Sequence, residues 1–199
     1  MIGIIDYGAG NLKSVRKAFD FLQVPNSIIR TAAEWRGMNR LVLPGVGAFG
    51  AAVRQLQERG LFSPLREWLA DDRPFLGICL GMQLLLEGSE ESPEAKGFGV
   101  FPGRCRRFQQ GKVPQIGWNE LRLSRPHPLF SGIADGTFFY FIHGFYVPPL
   151  SGPGVAAETD YHIRYLSALA RGNLTGVQFH PEKSGEAGLR LLRNWIEQC

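Results

Sequence analysis

The 199-residue sequence holds only three cysteines, Cys79, Cys105 and Cys199, and no CxxC pair. An odd, widely spaced set of thiols builds neither a disulfide framework nor a cysteine zinc site, so at least one thiol is free. Its four histidines include no pair at metal-ligand spacing, and neither a metal nor a cofactor is expected. Nowhere does the chain run for about 18 apolar residues, so no membrane span is expected. The opening Met1-Ile2-Gly3-Ile4-Ile5-Asp6 lacks a basic stretch and meets an acid at once. It reads as a first β-strand and not as a secretory leader, which implies a cytoplasmic protein. Charge of one sign is scarce too: 22 basic against 18 acidic residues leave a net +4. The tight cluster Arg104, Arg106 and Arg107 reads as a solvated strand face, not a nucleic-acid groove. What is plentiful is core material, 44% apolar residues against 20% charged, the range of a globular chain. At roughly 150 residues per domain, residues 1–199 are expected to form a single domain.

The first 90 residues alternate short apolar runs with helical patterns, the signature of βαβ units and a parallel sheet. Strands are predicted at Ile2 to Asp6, Ser27 to Ile29, Arg40 to Pro44 and Pro74 to Cys79. Asn11 is placed to cap a helix whose Leu12, Val15, Phe19 and Leu22 form one apolar stripe, stopped by Pro25. Thr31 and Glu34 have capping-box spacing for a short helix. Further helices are predicted from Ala48 to Arg59, from Ser63-Pro64 through Leu69, and from Leu80 to Glu87. From residue 97 to 180, glycine, proline and aromatic residues separate short β-like runs: Val100 to Phe108, Thr137 to Val147, Gly154 to Glu158, Tyr165 to Ala170 and Leu174 to Phe179. Arg171-Gly172-Asn173 reads as a hairpin turn between the last two, and Ser184 to Gln198 returns to helix. No internal repeat or low-complexity tract is present. The predicted fold is α/β, with a mixed, mostly parallel central sheet, helices on both faces and an antiparallel addition in the second half.

Gly77-Ile78-Cys79-Leu80-Gly81 has the spacing of a nucleophile elbow with cysteine at its centre. A sharp strand-to-helix turn strains the central residue and brings the flanking positions together, which explains the glycines. It lifts the sulfur out at a helix N-terminus and aims the Leu80 N–H at an oxyanion formed beside it. Cys105 and Cys199 read as packing cysteines. A base is offered by His180-Pro181-Glu182: in extended chain, residues two apart share a side, so His180 and Glu182 can face one cleft, the acid orienting the imidazole. Gly45-Val46-Gly47-Ala48-Phe49-Gly50 matches a dinucleotide fingerprint formally, but Asp71 and Asp72 precede the next strand instead of ending it. The segment reads better as a glycine loop whose amides approach a substrate or an oxyanion. His127 and His162 read as solvated loop residues and His143, in the aromatic run Phe138 to Tyr146, as a buried or rim residue.

Together these motifs resemble the triad-type glutamine amidotransferases, and within them the glutaminase subunits of imidazole glycerol phosphate synthases. The narrower resemblance rests on Asp6-Tyr7-Gly8-Ala9-Gly10-Asn11-Leu12, Leu43-Pro44-Gly45-Val46-Gly47-Ala48-Phe49, Val113-Pro114-Gln115-Ile116-Gly117-Trp118-Asn119 and Gly176-Val177-Gln178-Phe179-His180-Pro181-Glu182-Lys183-Ser184. It implies a nucleophile at Cys79, a base and acid at His180 and an orienter at Glu182. It further implies oxyanion donors at Leu80, Val46 and Gly47, glutamine contacts at Gly45, Gln83 and His143, and release of ammonia through a cysteinyl thioester. A small hydroxyl residue is expected where Gly144 stands. The implied partner is a (β/α)8-barrel cyclase that consumes the ammonia, docking through Asn11, Leu12, Trp118 and Asn119. On the residues alone, two alternatives stand beside this: another elbow-type hydrolase, such as a γ-glutamyl peptidase or the glutaminase partner of pyridoxal phosphate synthesis, and a non-catalytic binding module of the same fold.

Overall fold

In the computed structural model, which describes residues 1–8, 10–150 and 154–198, strand and helix alternate through the first part of the chain. β1 (Ile2–Ile5), α1 (Leu12–Phe21), β2 (Asn26–Ile29), β3 (Arg40–Gly45), α2 (Phe49–Glu58), α3 (Phe62–Ala70), β4 (Phe75–Cys79) and α4 (Leu80–Gln83) follow in that order. Short strands come next: β5 (Gly88–Ser89), β6 (Ser92–Lys96), β7 (Arg104–Arg107), β8 (Gln115–Glu120), β9 (Arg122–Leu123), β10 (Phe138–His143) and β11 (Phe145–Tyr146). β12 (Val155–Asp160), β13 (Arg164–Arg171), β14 (Leu174–Val177) and α5 (Gly185–Gln198) complete the order.

Eight strands make the main sheet in the order β2-β1-β3-β4-β14-β13-β12-β9. The pairings from β2 through β4 to β14 are parallel, and those from β14 through β13 and β12 to β9 are antiparallel. Successive strand residues point to opposite faces, and the core divides accordingly. Leu41, Leu43 and Phe75 pack with α2 and α3, whereas Val42, Leu76 and Ile78 pack with α1 and α5. Helices thus cover both faces, as expected. Smaller sheets, β10-β8 and β11-β7-β5-β6, stand beside this frame. No described helix is long and apolar enough to cross a membrane, and no cluster of metal-ligating side chains occurs among the described residues.

Several expectations shift. The helix predicted from Leu80 to Glu87 ends at Gln83, because the carbonyls of Leu84, Leu85 and Leu86 accept hydrogen bonds from Phe98, Phe101 and Gly99 instead of continuing a helical ladder. The strand predicted from Val100 shrinks to β7 for the same reason, and Gly144 divides the predicted Thr137 to Val147 strand into β10 and β11. α3 begins at Phe62, with Leu61 and not Ser63 at its cap. β6, carrying Pro93 and charges, lacks the alternation that betrays a strand, as suits the edge of a sheet. Arg104, Arg106 and Arg107 lie exposed around buried Cys105, whose thiol pKa burial pushes up. The reading of Cys199 lies outside the described residues.

Candidate active site

β4 delivers Cys79 at its C-terminal end, with φ +55° and ψ −108°, a conformation that an L-residue adopts only at a cost. Two glycines make the turn sterically feasible. A Cβ on Gly77 would stand 2.5 Å from the Gly81 carbonyl oxygen, and one on Gly81 would collide with the Leu43 carbonyl of β3. Because α4 is a single turn, it sums few peptide dipoles. The helix support expected for negative charge at Cys79 is correspondingly small.

β14 is hydrogen-bonded to β4, with Val177 opposite Ile78, so the chain leaving β14 arrives beside the sulfur. There His180 and Glu182 meet, Nδ1 to Oε1 at 2.8 Å, both side chains almost wholly buried. Burial by itself lowers the imidazole pKa, but the negative sulfur of Cys79 and the Glu182 carboxylate overcome it and push the pKa up to about 10. His180 Nε2, on the ring's other side, has no further partner within hydrogen-bond geometry. Asn11, expected to cap α1 and to face a partner, sits at the N-cap and its carbonyl accepts from the Val15 N–H, but its side chain makes no cap; its Nδ2 donates to Glu182 Oε1 at 3.2 Å. The acid therefore has two donors on one oxygen, and its Oε2 is buried without a partner.

The Cys79 sulfur opens on a cavity of about 290 Å³, lined also by Val46, Gly47, Leu80, Gln83, Glu91, Ile142, His143, Gly144 and Phe145. Gly47 sits at φ +103°, which glycine alone tolerates readily, and Val46 is exposed beside it. Gly45 is buried below them, where a Cβ would stand 2.6 Å from the Tyr7 hydroxyl. Gln83 donates both amide hydrogens to the protein, to the Phe145 carbonyl at 3.0 Å and to Gln178 Oε1 at 3.1 Å, and so can offer the cavity only its carbonyl oxygen. Gly144 lines the wall, and a Cβ there would meet only Val113 at 3.5 Å, so a small side chain is excluded neither by space nor by φ.

His143 is buried, as its aromatic setting implied, with Nδ1 2.8 Å from the Phe145 carbonyl and Nε2 3.3 Å from the Tyr165 hydroxyl. Burial drives its pKa down to about 4. The folded protein therefore keeps His143 neutral while the unfolded chain takes up a proton below about pH 6.5, so stability falls as pH drops from about 6.5 toward 4. The expected loss is up to about 3 kcal/mol, absent in His143→Gln; urea unfolding of both proteins at pH 7 and pH 4 measures the difference.

The remaining candidates separate. Trp118 is 56% exposed on β8, not in a loop, edge-on to Tyr140 at 6.1 Å. Asn119 turns inward, its Nδ2 donating to the Asp160 carbonyl at 2.9 Å, and Leu12 packs partly buried against the core. His127 is half-buried and its Nδ1 accepts from the Leu129 N–H, so only His162 is the solvated histidine expected. Asp72 holds Asn173 at the start of β4 and β14, the end of the sheet away from Cys79, which leaves the glycine loop without a ribose-binding acid. Two side chains at the site escaped the sequence reading. Glu91, its Oε2 accepting from the Phe49 N–H at 2.7 Å, has no motif to mark it. Gln178 does, lying two residues before His180; the chain bends at Gln178 and Phe179, and Pro181–Lys183 form a 3-10 turn, so that turn, and not the extended chain expected, brings Glu182 to His180.

A family model, glutamine amidotransferase class-I, matches residues 3–199. The chain is 47% identical to the imidazole glycerol phosphate synthase subunit HisH of Chlorobium luteolum, covering 99% of this chain and all of that one. It is 46% identical to the subunit of the same name from Desulfitobacterium hafniense, covering 100% and 96%. Among solved structures, one described as a glutamine amidotransferase superposes with a TM-score of 0.77 over 98% of this chain and 97% of the other; at 20% identity it speaks for the fold.

Proposed function

The chain belongs to the class-I glutamine amidotransferases, enzymes that hydrolyse glutamine, and on that premise we propose that it is the glutaminase subunit of an imidazole glycerol phosphate synthase, in histidine biosynthesis. The observation that carries the chemistry is the buried line from Glu182 through His180 to a strained cysteine at the wall of a small cavity. The raised His180 pKa suits a resting imidazolium–thiolate pair. Cys79 attacks the side-chain amide carbon of glutamine, and the negative oxygen that forms is met by backbone N–H groups of Leu80 and the Val46-Gly47 loop. His180 gives its proton to the departing nitrogen, which leaves as ammonia, and a thioester remains. Neutral His180 then takes a proton from water, whose oxygen attacks the thioester. Collapse releases glutamate and returns the thiolate and imidazolium. Glu91 supplies negative charge for the substrate's α-ammonium, and the Gln83 carbonyl a further acceptor.

Ammonia set free at neutral pH is protonated and loses its nucleophilicity, so an acceptor enzyme must receive it directly. The partner in this reading is the (β/α)8-barrel cyclase. β8 and β10 offer it a face: Trp118 lies opposite Tyr140 and Ile116 opposite Ile142, and Ile116, Trp118 and Phe138 are all more than half exposed. An exposed aromatic at the centre of such a patch is a typical interface anchor. Ile142 joins the face to the site, its carbonyl 3.7 Å from the Cys79 sulfur.

The experiment is steady-state glutamine hydrolysis by the purified subunit, with and without saturating cyclase and its nucleotide ligand. The glycines of Gly45-Val46-Gly47 let a peptide turn its N–H away at little cost, and losing one such donor lowers the rate about a hundred- to a thousand-fold. Docking should restore that factor. Equal rates with and without the cyclase would show that the oxyanion donors are preformed, and no hydrolysis in either state would remove the glutaminase reading.

A further inference from the structure

Besides the Ile142 carbonyl, the sulfur of Cys79 has a neighbour that donates to it. Gln178, fully buried, directs its side-chain Nε2 at Sγ over 3.6 Å. Its Oε1 accepts from Gln83 Nε2 at 3.1 Å, and Gln83 in turn donates to the Phe145 carbonyl at 3.0 Å. That same carbonyl lies 2.8 Å from His143 Nδ1. A buried amide kept only for packing would find oxygen acceptors for its hydrogens. Here one hydrogen is aimed at sulfur, a weak acceptor as a thiol and a strong one as a thiolate. The orientation is not free, because the Gln83 donor requires Gln178 to present its oxygen on that side and hence its nitrogen to the sulfur.

We propose that Gln178 is a positioning residue for the nucleophile: its amide N–H holds and stabilises the Cys79 thiolate, and Gln83 ties that amide to the cavity wall. The inference rests on the reading of Cys79 as the nucleophile. It supplies the thiolate support that the single-turn α4 is too short to give. It also gives Gln83 a second role, as the brace that prevents the Gln178 amide from flipping.

Few charges compete with this donor. Of the titratable groups that sense the sulfur, Tyr7 and Tyr165 are driven well above the phenol range by burial and stay neutral. His143 is neutral above about pH 4. His180 is the cation, with Glu182 behind it, and Glu91 stands across the cavity. The Gln178 N–H is thus a neutral donor beside a sulfur whose cationic neighbour is His180.

The test is the pH dependence of iodoacetamide alkylation at Cys79, followed by mass spectrometry of the Cys79 peptide in the full chain, for the wild type, Gln178→Met and Gln178→Glu. Methionine keeps the length without the donor; glutamate keeps the shape and the acceptor for Gln83 but turns an oxygen toward the sulfur. The alkylation midpoint should rise by about one pH unit in Gln178→Met and further in Gln178→Glu. In the cyclase complex kcat should fall about tenfold while KM changes less than about twofold, because the donor acts on the nucleophile and not on substrate binding. A packing role would lower the thermal midpoint and leave the alkylation midpoint in place. An unchanged alkylation midpoint in Gln178→Glu overturns the proposal, even if Gln178→Met fails to fold. Alkylation needs neither glutamine nor cyclase, so a wild type inactive as a glutaminase would count against the function and leave this measurement standing.

Discussion

Cys79→Ala should abolish glutamine hydrolysis, by about six orders of magnitude, the scale of loss when the nucleophile of an acyl-transfer triad is removed. Among the described residues no other cysteine lines the cavity. Cys105 is fully buried on β7 and its thiol is held protonated by burial. The variant should still fold, since alanine occupies less space at the same backbone position, although the positive φ at residue 79 remains. Synthesis fed with ammonium salts through the cyclase complex should persist, because the substitution leaves the docking face untouched. A second readout reports on the site itself. With the sulfur gone, the strongest influence holding the His180 proton disappears while burial still opposes charge, so the imidazole pKa should fall from about 10. Titration by NMR of His180 in the two proteins measures that drop. Residual hydrolysis above about one part in a thousand of the wild-type rate would place the nucleophile elsewhere.

His180→Ala should cost nearly as much, since in the proposed mechanism it removes both the acid for the leaving nitrogen and the base for water, whereas Glu182→Gln should cost only about ten- to a hundred-fold. The reason for the gap lies in Asn11. An amide in place of the triad acid usually damages catalysis by turning its NH2 toward the imidazole and forcing the wrong tautomer. Here the atom beside His180 Nδ1 also receives a hydrogen from Asn11 Nδ2, so two donors converge on it and an amide oxygen is preferred there. The new NH2 would then occupy the position of Oε2, which is buried without a partner; this costs stability more than rate. The double variant Asn11→Ala/Glu182→Gln removes the constraint and should fall well below either single variant. Rates for all four proteins, measured in the cyclase complex, decide the point; additive losses would show that Asn11 does not set the amide's orientation.

The half of the chain built on regular periods was legible. α1 buries Val15, Ala18 and Phe19 along the predicted stripe, and the strands ending at Gly45 and Cys79 fall where apolar runs meet glycine. Legibility failed where backbone partners come from far along the chain. No local pattern shows that Phe98, Gly99 and Phe101 claim the carbonyls of Leu84 to Leu86, so the helix expected from periodicity is a full turn longer than α4. β8 is absent from the predicted strands; Gly117 interrupts its alternation, at a position whose φ of +132° explains the glycine. At the site, the elbow glycines and the His180-Pro181-Glu182 motif could be read, but not that a 3-10 turn over Pro181–Lys183 is what brings Glu182 to His180. Glu91 could not be read: an acid among Ser and Glu residues becomes a cavity wall only when β6 pairs with β5 and turns it toward Phe49.

The neighbouring placement of β4 and β14 has a consequence for how the protein is made. The cysteine and the histidine lie on adjacent strands, yet more than half the chain separates them in sequence, so their meeting is among the longest loops that folding must close. During synthesis every segment N-terminal to β14 can emerge and pack before the base exists. A chain that ends between Cys79 and His180 carries the elbow sequence without the imidazole that faces it. The proposed ammonia-releasing centre therefore cannot assemble until β14 and the turn after it have been made, and a subunit that stops short of them lacks the base of the proposed reaction.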